Sequence, residues 1–270
     1  MREAGQHFTR VDASGMPAAA FVEYLDTVAA LEAAKAYKRR SYELLRLQPG
    51  ARVIDVGCGA GDDVRAIAEL VGGSGRVVGL DISEKLVRQA RQRAGDGATV
   101  EFAVGDAQAL RFDTASFDAA RIDRTLQHVA DPGRAVDELA RVVHSGGRVV
   151  ACEPDWETLT VSSAEVRVTR AIARTVGDSH TNPWIGRQLL PMLRARGLVE
   201  LSVDGFIGMA FEFDLADALL GLVPGAAAAR ETGAISASEE ERWVMDLRER
   251  SAAGGFFASL SVFVVAGTRP

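Results

Sequence analysis

Strand-like and helix-like segments alternate without a break through residues 50–154. "RVIDVG" is a β-branched run closed by glycine, the pattern of a strand covered on both faces. "DDVRAIAELV" follows, with Val64, Ile67, Ala68 and Val71 on one helical face and acids in its first turn. The series continues with strand "GRVVGLDIS", helix "EKLVRQARQRA", strands "TVEFAVGDA" and "FDAARI", helix "PGRAVDELARVV" and a fifth strand in "GRVVACEP". A cadence of this kind predicts an open α/β sheet, mostly parallel, with helices on both faces.

The flanks read differently. Phe21, Leu25, Val28 and Leu31 mark one apolar helical face, a second helix runs to Leu47, and "QPG" at 48–50 stops it. After Pro154 the expectation is a largely helical stretch over 155 to about 197, a strand in "LVELSVDGF", more helix to about 253, and a terminal strand in "ASLSVFVVAGT". These two late strands bring the expected total to seven, with the last one antiparallel at the sheet edge. The intervening helices would form a lid.

Composition narrows the function. A net charge of -6 and a pI near 5.4 argue against a nucleic-acid partner, which needs a dense basic surface. No run approaches the roughly 18 unbroken apolar residues of a spanning helix, so no membrane insertion is expected. The first 30 residues contain acids and no continuous apolar core, so they do not read as a signal peptide. Cys58 and Cys152 are the only cysteines, which speaks against a disulfide framework or a metal site and for a cytoplasmic home.

"VIDVGCGAGDD" is the most informative stretch. A glycine-rich turn between strand and helix lets backbone approach a ligand closely. The dinucleotide fingerprint is G-x-G-x-x-G, whereas Gly57, Gly59 and Gly61 are spaced G-x-G-x-G, with Asp62 and Asp63 at the helix start. Carboxylates there would repel a pyrophosphate. Asp81 closes the second strand 20 residues after Gly61, where an acid can accept both ribose hydroxyls. Asp106 closes the third strand, within reach of an adenine amino group. The structural reading of Asp81 and Asp106 is helix capping, since both precede expected helix starts. Taken together, three acids and no phosphate cradle describe a site for a cationic adenosine, of which S-adenosylmethionine (SAM) is the common one.

Residues 36–154 resemble the class I SAM-dependent methyltransferases. "LLRLQPGARVIDVGCGAG" is similar to that family's opening helix, proline-glycine turn and first motif, "VVGLDIS" to its second and "GDAQALRF" to its third. "FDAARIDRTLQHVADPGRAVDELARVVHSGGRVVACEP" is similar to its fourth and fifth strands. The likeness is greatest to the small-molecule branch that holds the ubiquinone and menaquinone methyltransferases and many natural-product tailoring enzymes. It implies a Rossmann-like sheet. It also implies that 1–48 cover the cofactor site, 49–154 bind SAM, and 155–270 supply the helical lid and the last two strands. Gly57, Gly59 and Gly61 would pass the methionine portion and ribose, with Asp55 holding the amino end. Asp81 would bind the ribose hydroxyls, Ile82 would pack on the adenine face, and Asp106 and Ala107 would meet its edge. The backbone around Arg121, just past the fourth strand, would lie near the sulfonium. Tyr24, Lys38 and Arg39 are the candidates for the methionine carboxylate, although Lys38, Arg39 and Arg40 also read as a solvated helix face.

The acceptor side carries fewer signals. His128 is a candidate general base because imidazole titrates near neutral pH, or else a structural histidine holding its loop. Glu153, Asp155 and Trp156 leave the fifth strand where an acceptor should sit, and Trp156 serves equally as an anchor for the lid. His180 or Asn182 would face the acceptor, or their segment is a turn capped by Pro183. The expected chemistry is methyl transfer to O, N or C of a small molecule. The alternative is a SAM-binding protein with lost or altered chemistry, such as a regulatory subunit or a cyclase. A homo-oligomer is compatible with the sequence, and no feature demands one.

Overall fold

The computed structural model describes residues 8, 11–95 and 99–270. Its strands are β1 (Arg52–Val56), β2 (Arg76–Asp81), β3 (Val100–Val104), β4 (Phe117–Asp123), β5 (Val143–Val161), β6 (Val199–Ala210) and β7 (Ala258–Thr268). They make one seven-stranded sheet in the order β3-β2-β1-β4-β5-β7-β6. The first five strands are parallel, and β7 runs antiparallel to both β5 and β6. This is the Rossmann-like sheet that the alternation predicts.

Two expectations need correcting. The last strand is antiparallel, but it lies inside the sheet between β5 and β6 rather than at the edge. Val264, Val265 and Ala266 are fully buried, which an interior strand provides. The edge falls to β6, whose Glu200 and Asp204 bring charge to an exposed rim. Residues 155–161 are also strand, not helix. β5 continues through "DWETLTV" and resumes its pairing with β7 after a register shift between Asp155 and Thr160.

The helices are α1 (Ala18–Ala30), α2 (Glu32–Leu44), α3 (Asp62–Val71), α4 (Glu84–Ala94), α5 (Pro132–Val142), α6 (Val166–Asp178), α7 (Ile185–Ala195), α8 (Phe213–Leu220), α9 (Leu222–Glu231) and α10 (Ala237–Ala252). Local chemistry sets their ends. The Ser83 hydroxyl accepts from the Leu86 N–H to cap α4, and Asp131 accepts from the Arg134 N–H before Pro132 opens α5. No helix joins β3 to β4. Asp106 instead closes a turn by accepting from the Gln108 N–H at 2.8 Å, so it is not a helix cap.

Three cores result. Helices α1 to α4 cover one face of the sheet, and α5 and α7 cover the other. The third lies among α6 and α8 to α10, around the fully buried Trp243 and Phe213. Trp156, Leu159 and Val161 from the far end of β5 enter that cluster, so the helical cap is anchored on the sheet itself. Each large apolar side chain so buried contributes roughly 1.5–3 kcal/mol.

Candidate active site

The C-terminal ends of β1, β2 and β4 open into a cavity of about 410 Å³, roofed by α1, α2 and the end of α8. Such crevices outside the carboxyl ends of the strands are where open α/β sheets bind ligands. Gly57 and Gly59 stand on its wall, and the turn is shaped by steric need. Gly57 has φ +75°, and a Cβ there would come within 1.8 Å of the Thr125 hydroxyl. Gly61 has φ +79°, begins α3, and faces the Phe102 ring at 2.7 Å from a notional Cβ. It lies behind the wall rather than on it.

Asp81 ties the turn to β2. One carboxylate oxygen accepts from the Gly59 N–H at 2.9 Å and the other from the Ser83 N–H at 2.9 Å. Burial raises its pKa, and these N–H donors oppose the rise. Each oxygen keeps a second lone pair, so the group can still accept two hydroxyls. Ile82 is 64% exposed on the same wall, with Asp106 and Ala107 beside it. This donor and acceptor set suits an adenosine: a carboxylate at the ribose position, apolar flanks, and a further acid at the rim.

Below the cavity lies a charged knot. The Arg121 side chain is fully buried within β4, not past the strand end as expected, and does not reach the wall. Its guanidinium pairs with Asp55 at 2.9 Å, Asp123 at 2.9 Å and Asp63 at 3.2 Å, and donates to the Ser41 hydroxyl at 2.9 Å. Asp55 therefore belongs to the knot and does not face the cavity. Burial raises the Asp55 pKa to about 7, against the pull of Arg121. Burial also works against the Asp63 carboxylate, but Arg121 and Lys38 overcome it and hold its pKa below the usual range. Lys38 stands on the wall, yet its ammonium donates to both Asp63 oxygens at 2.8 and 2.9 Å. Arg39 is exposed and off the wall. Of the three carboxylate candidates, only Tyr24 lines the cavity without a carboxylate already attached; its hydroxyl donates to the Leu219 carbonyl at 3.4 Å.

On the acceptor side, His128, Trp156 and His180 reach the wall together. His180 stacks on Trp156 at 3.8 Å between ring centroids, and the Trp156 indole N–H donates to Gln127 at 2.8 Å. Burial, the neighbouring His180 and Arg124 push the His128 pKa down to about 3. Burial likewise takes His180 down to about 4. Both rings are neutral at pH 7.

Glu153 and Asp155 do not face the acceptor. Glu153 is wholly buried and accepts from the Thr125 and Leu126 N–H groups at 2.8 and 2.6 Å, fixing the loop after β4, with burial raising its pKa to about 8. Asp155 is 1% exposed and pairs with Arg187. Asn182 holds the same loop by donating to the Leu126 and Val129 carbonyls at 2.8 and 2.7 Å.

Sequence reasoning passed over Asp123 and Arg124, the residues on the wall at the end of β4. Their signal was the charged pair "DR" at the carboxyl end of β4, the position where this sheet type holds ligands.

Comparison with known proteins agrees with this geometry. Residues 47–195 match the family described as a methyltransferase domain. An uncharacterized 37.1 kDa protein in transposon TN4556 of Streptomyces fradiae is 40% identical over 245 residues, 90% of this chain and 70% of that one. The demethylmenaquinone methyltransferase of Staphylococcus epidermidis is 34% identical over 135 residues, covering 50% of this chain and 56% of that enzyme. Among solved structures, the geranyl diphosphate C-methyltransferase of Streptomyces coelicolor A3(2), bound to Mg2+, geranyl diphosphate and S-adenosyl-L-homocysteine, superposes with a TM-score of 0.54. That match covers 87% of this chain and 79% of the other at 17% identity, a likeness of fold. The chain belongs to the class I SAM-dependent methyltransferases of the small-molecule type, and its cofactor is SAM.

Proposed function

We propose that the protein transfers a methyl group from SAM to an oxygen, nitrogen or carbon atom of a small molecule, a secondary metabolite, in the cytoplasm. One observation carries the reading: a single cavity joins the Asp81–Asp106 wall to a second, apolar and aromatic wall made by α1, α8, β6 and β7. SAM would supply an electrophilic methyl on a positively charged sulfur; the sulfur would keep the C–S electron pair while a lone pair of an oxygen or nitrogen acceptor, or a π pair of a carbon acceptor, forms the new bond and the acceptor's proton passes to solvent. Asp81 binds the ribose diol, Ile82 and Ala107 flank the adenine, and Asp106 accepts from its amino group. Tyr24 borders the methionine end, while the described residues of 1–48 cover the cofactor and 155–270 shape the acceptor site; residues 1–7, 9 and 10 lie outside the described residues.

Alignment does most of the work in this scheme. Trp156, stacked on His180 and tied to Gln127, is a rigid face against which an acceptor ring can lie. His128, held neutral by its surroundings, orients an acceptor by hydrogen bonding better than it removes a proton. A second reading, SAM binding with lost or altered chemistry, is favoured by the same imidazoles, since at these pKa values they are weak bases and, among the described residues, no carboxylate stands on the wall made by α1, α8, β6 and β7. The test is calorimetric titration with SAM, S-adenosylhomocysteine and NAD, followed by an acceptor screen for homocysteine-product release. Micromolar binding of the first two with turnover supports methyl transfer, and tight binding without turnover on any acceptor supports the second reading. Binding of NAD alone refutes both.

A further inference from the structure

Arg124 is out of place for a structural residue. It is a non-glycine residue with φ +49°, in the left-handed region that side chains rarely adopt. Three contacts hold it there. Its N–H donates to the Cys152 carbonyl at 2.8 Å, its carbonyl accepts from the Gln127 side chain at 3.0 Å, and the next two N–H groups are fixed by Glu153. The loop thus places Arg124 on the cavity wall. There it finds no partner. Among the described residues no carboxylate lies within 4 Å of it, and its buried Nε has no acceptor. Lys38, the other permanent cation on that wall, is neutralised by Asp63.

A half-buried guanidinium whose Nε is shut off from water and left without an anion is unfavourable, and its planar fork matches a carboxylate. It stays charged: burial opposes the charge, but Tyr37, Asp123 and Tyr24 in their ionised forms favour it, so its pKa rises above the usual arginine value. Those groups are not free to satisfy it. Asp123 gives its Oδ2 to Arg121 and Tyr37, its buried Oδ1 has no partner among the described residues and does not reach the Arg124 guanidinium, and the tyrosines are un-ionised at neutral pH because burial raises them.

We infer that Arg124 is the carboxylate receptor of this cavity, held in a strained backbone conformation so that its guanidinium meets an anionic group of a bound ligand. Two ligands could bring that group: the methionine end of SAM, or the small-molecule acceptor. The inference rests on the cavity being the SAM and acceptor site, and its test separates the two claims. The variant of choice is Arg124→Asn, because asparagine tolerates the left-handed conformation and removes the charge; Arg124→Lys keeps the charge as a control for folding.

The first arm titrates wild type and variants with S-adenosylhomocysteine and with 5′-methylthioadenosine, which lacks the amino-acid end. If the cofactor brings the carboxylate, Arg124→Asn weakens S-adenosylhomocysteine about tenfold to a hundredfold and leaves methylthioadenosine unchanged. Arg124→Lys retains part of the preference. The second arm compares 4-phenylbutyrate with 4-phenylbutyramide on protein saturated with S-adenosylhomocysteine. If the acceptor brings the anion, wild type prefers the acid by about tenfold and Arg124→Asn does not. An unchanged preference in both arms overturns the assignment. Wild type that binds neither nucleoside refutes the SAM site, while the acid–amide comparison, run without nucleoside, still decides whether Arg124 takes a carboxylate.

Discussion

Replacing Arg121 with methionine keeps much of its volume and removes its charge, which tests whether the knot under the cavity holds the fold together. Three carboxylates lie within 3.2 Å of this one fully buried guanidinium, and Ser41 and the Tyr42 ring complete its surroundings. Removing one member of a buried ion pair costs about 3–5 kcal/mol, because the partner is left charged without water. At about 2–4 °C per kcal/mol for a domain of this size, the expected drop in melting temperature is about 6–20 °C. The pH dependence is the sharper signature. In the variant the carboxylates lose their counter-charge, so their native pKa values rise above the unfolded value and the folded state binds more protons. A raised carboxylate pKa adds stability as pH falls through it. In wild type the depressed Asp63 pKa acts oppositely, its contribution being present above the unfolded value and lost as pH falls. The gap between the two proteins should therefore be widest near pH 8 and shrink by pH 5, as followed by scanning calorimetry. A melting temperature within about 2 °C of wild type, or a gap that does not change with pH, would refute the reasoning.

Three further outcomes follow from the site. Asp81→Ala removes two charge-assisted hydrogen bonds to the ribose, so S-adenosylhomocysteine should bind at least about a hundredfold more weakly by calorimetry. His128 carries a pKa near 3 when folded, against an unfolded value of about 6.5, so its neutral form stabilises the fold above that value and the contribution is lost as pH falls toward 3. Melting curves of His128→Gln between pH 7 and pH 4 should be flatter than those of wild type, and kcat/KM of wild type should show no acid limb near pH 6.5 from this residue. Glu153→Gln keeps an acceptor for the Thr125 and Leu126 N–H groups and should change stability by less than about 1 kcal/mol, whereas Glu153→Ala strands both donors at about 1–3 kcal/mol each. Chemical denaturation of the two variants distinguishes those values.

Much of this molecule could be read from its sequence because period and punctuation are local properties. β-branched runs ended by Gly57 or Asp81 have few other ways to bury themselves, and Ser83 and Asp131 announce the helices they cap. The glycine turn and Asp81 were legible for the same reason: the residue types are needed at fixed places along the chain. Long-range partners were not. Nothing in "AARID" shows that Arg121 turns inward to three acids from β1, α3 and β4, or that Lys38 is consumed by Asp63 across 25 residues. The position of β7 was hidden because an apolar run does not say whether one strand or two pair with it, and only the charges of β6 betray the edge.

The two charge arrangements explain each other. Arg121 takes Asp55, Asp63 and Asp123, and Lys38 completes the neutralisation of Asp63, so the helix α2 is fastened to β4 and the start of α3 through Ser41, Tyr42, Lys38 and Tyr37. With Oδ2 of Asp123 and both oxygens of Asp63 so engaged, no carboxylate among the described residues lies within 4 Å of the Arg124 guanidinium. The knot is therefore more than a staple between α2 and the sheet, since it withholds from Arg124 the carboxylates nearest to it. It follows that loosening the knot should affect ligand recognition even where the fold survives. In Arg121→Met at temperatures well below its melting point, a released Asp123 or Asp63 can turn to Arg124 and compete with a ligand carboxylate. S-adenosylhomocysteine or phenylbutyrate binding would weaken while methylthioadenosine or phenylbutyramide binding would not. Equal weakening of both members of each pair would instead mean that Arg121 acts on the cavity only through its shape.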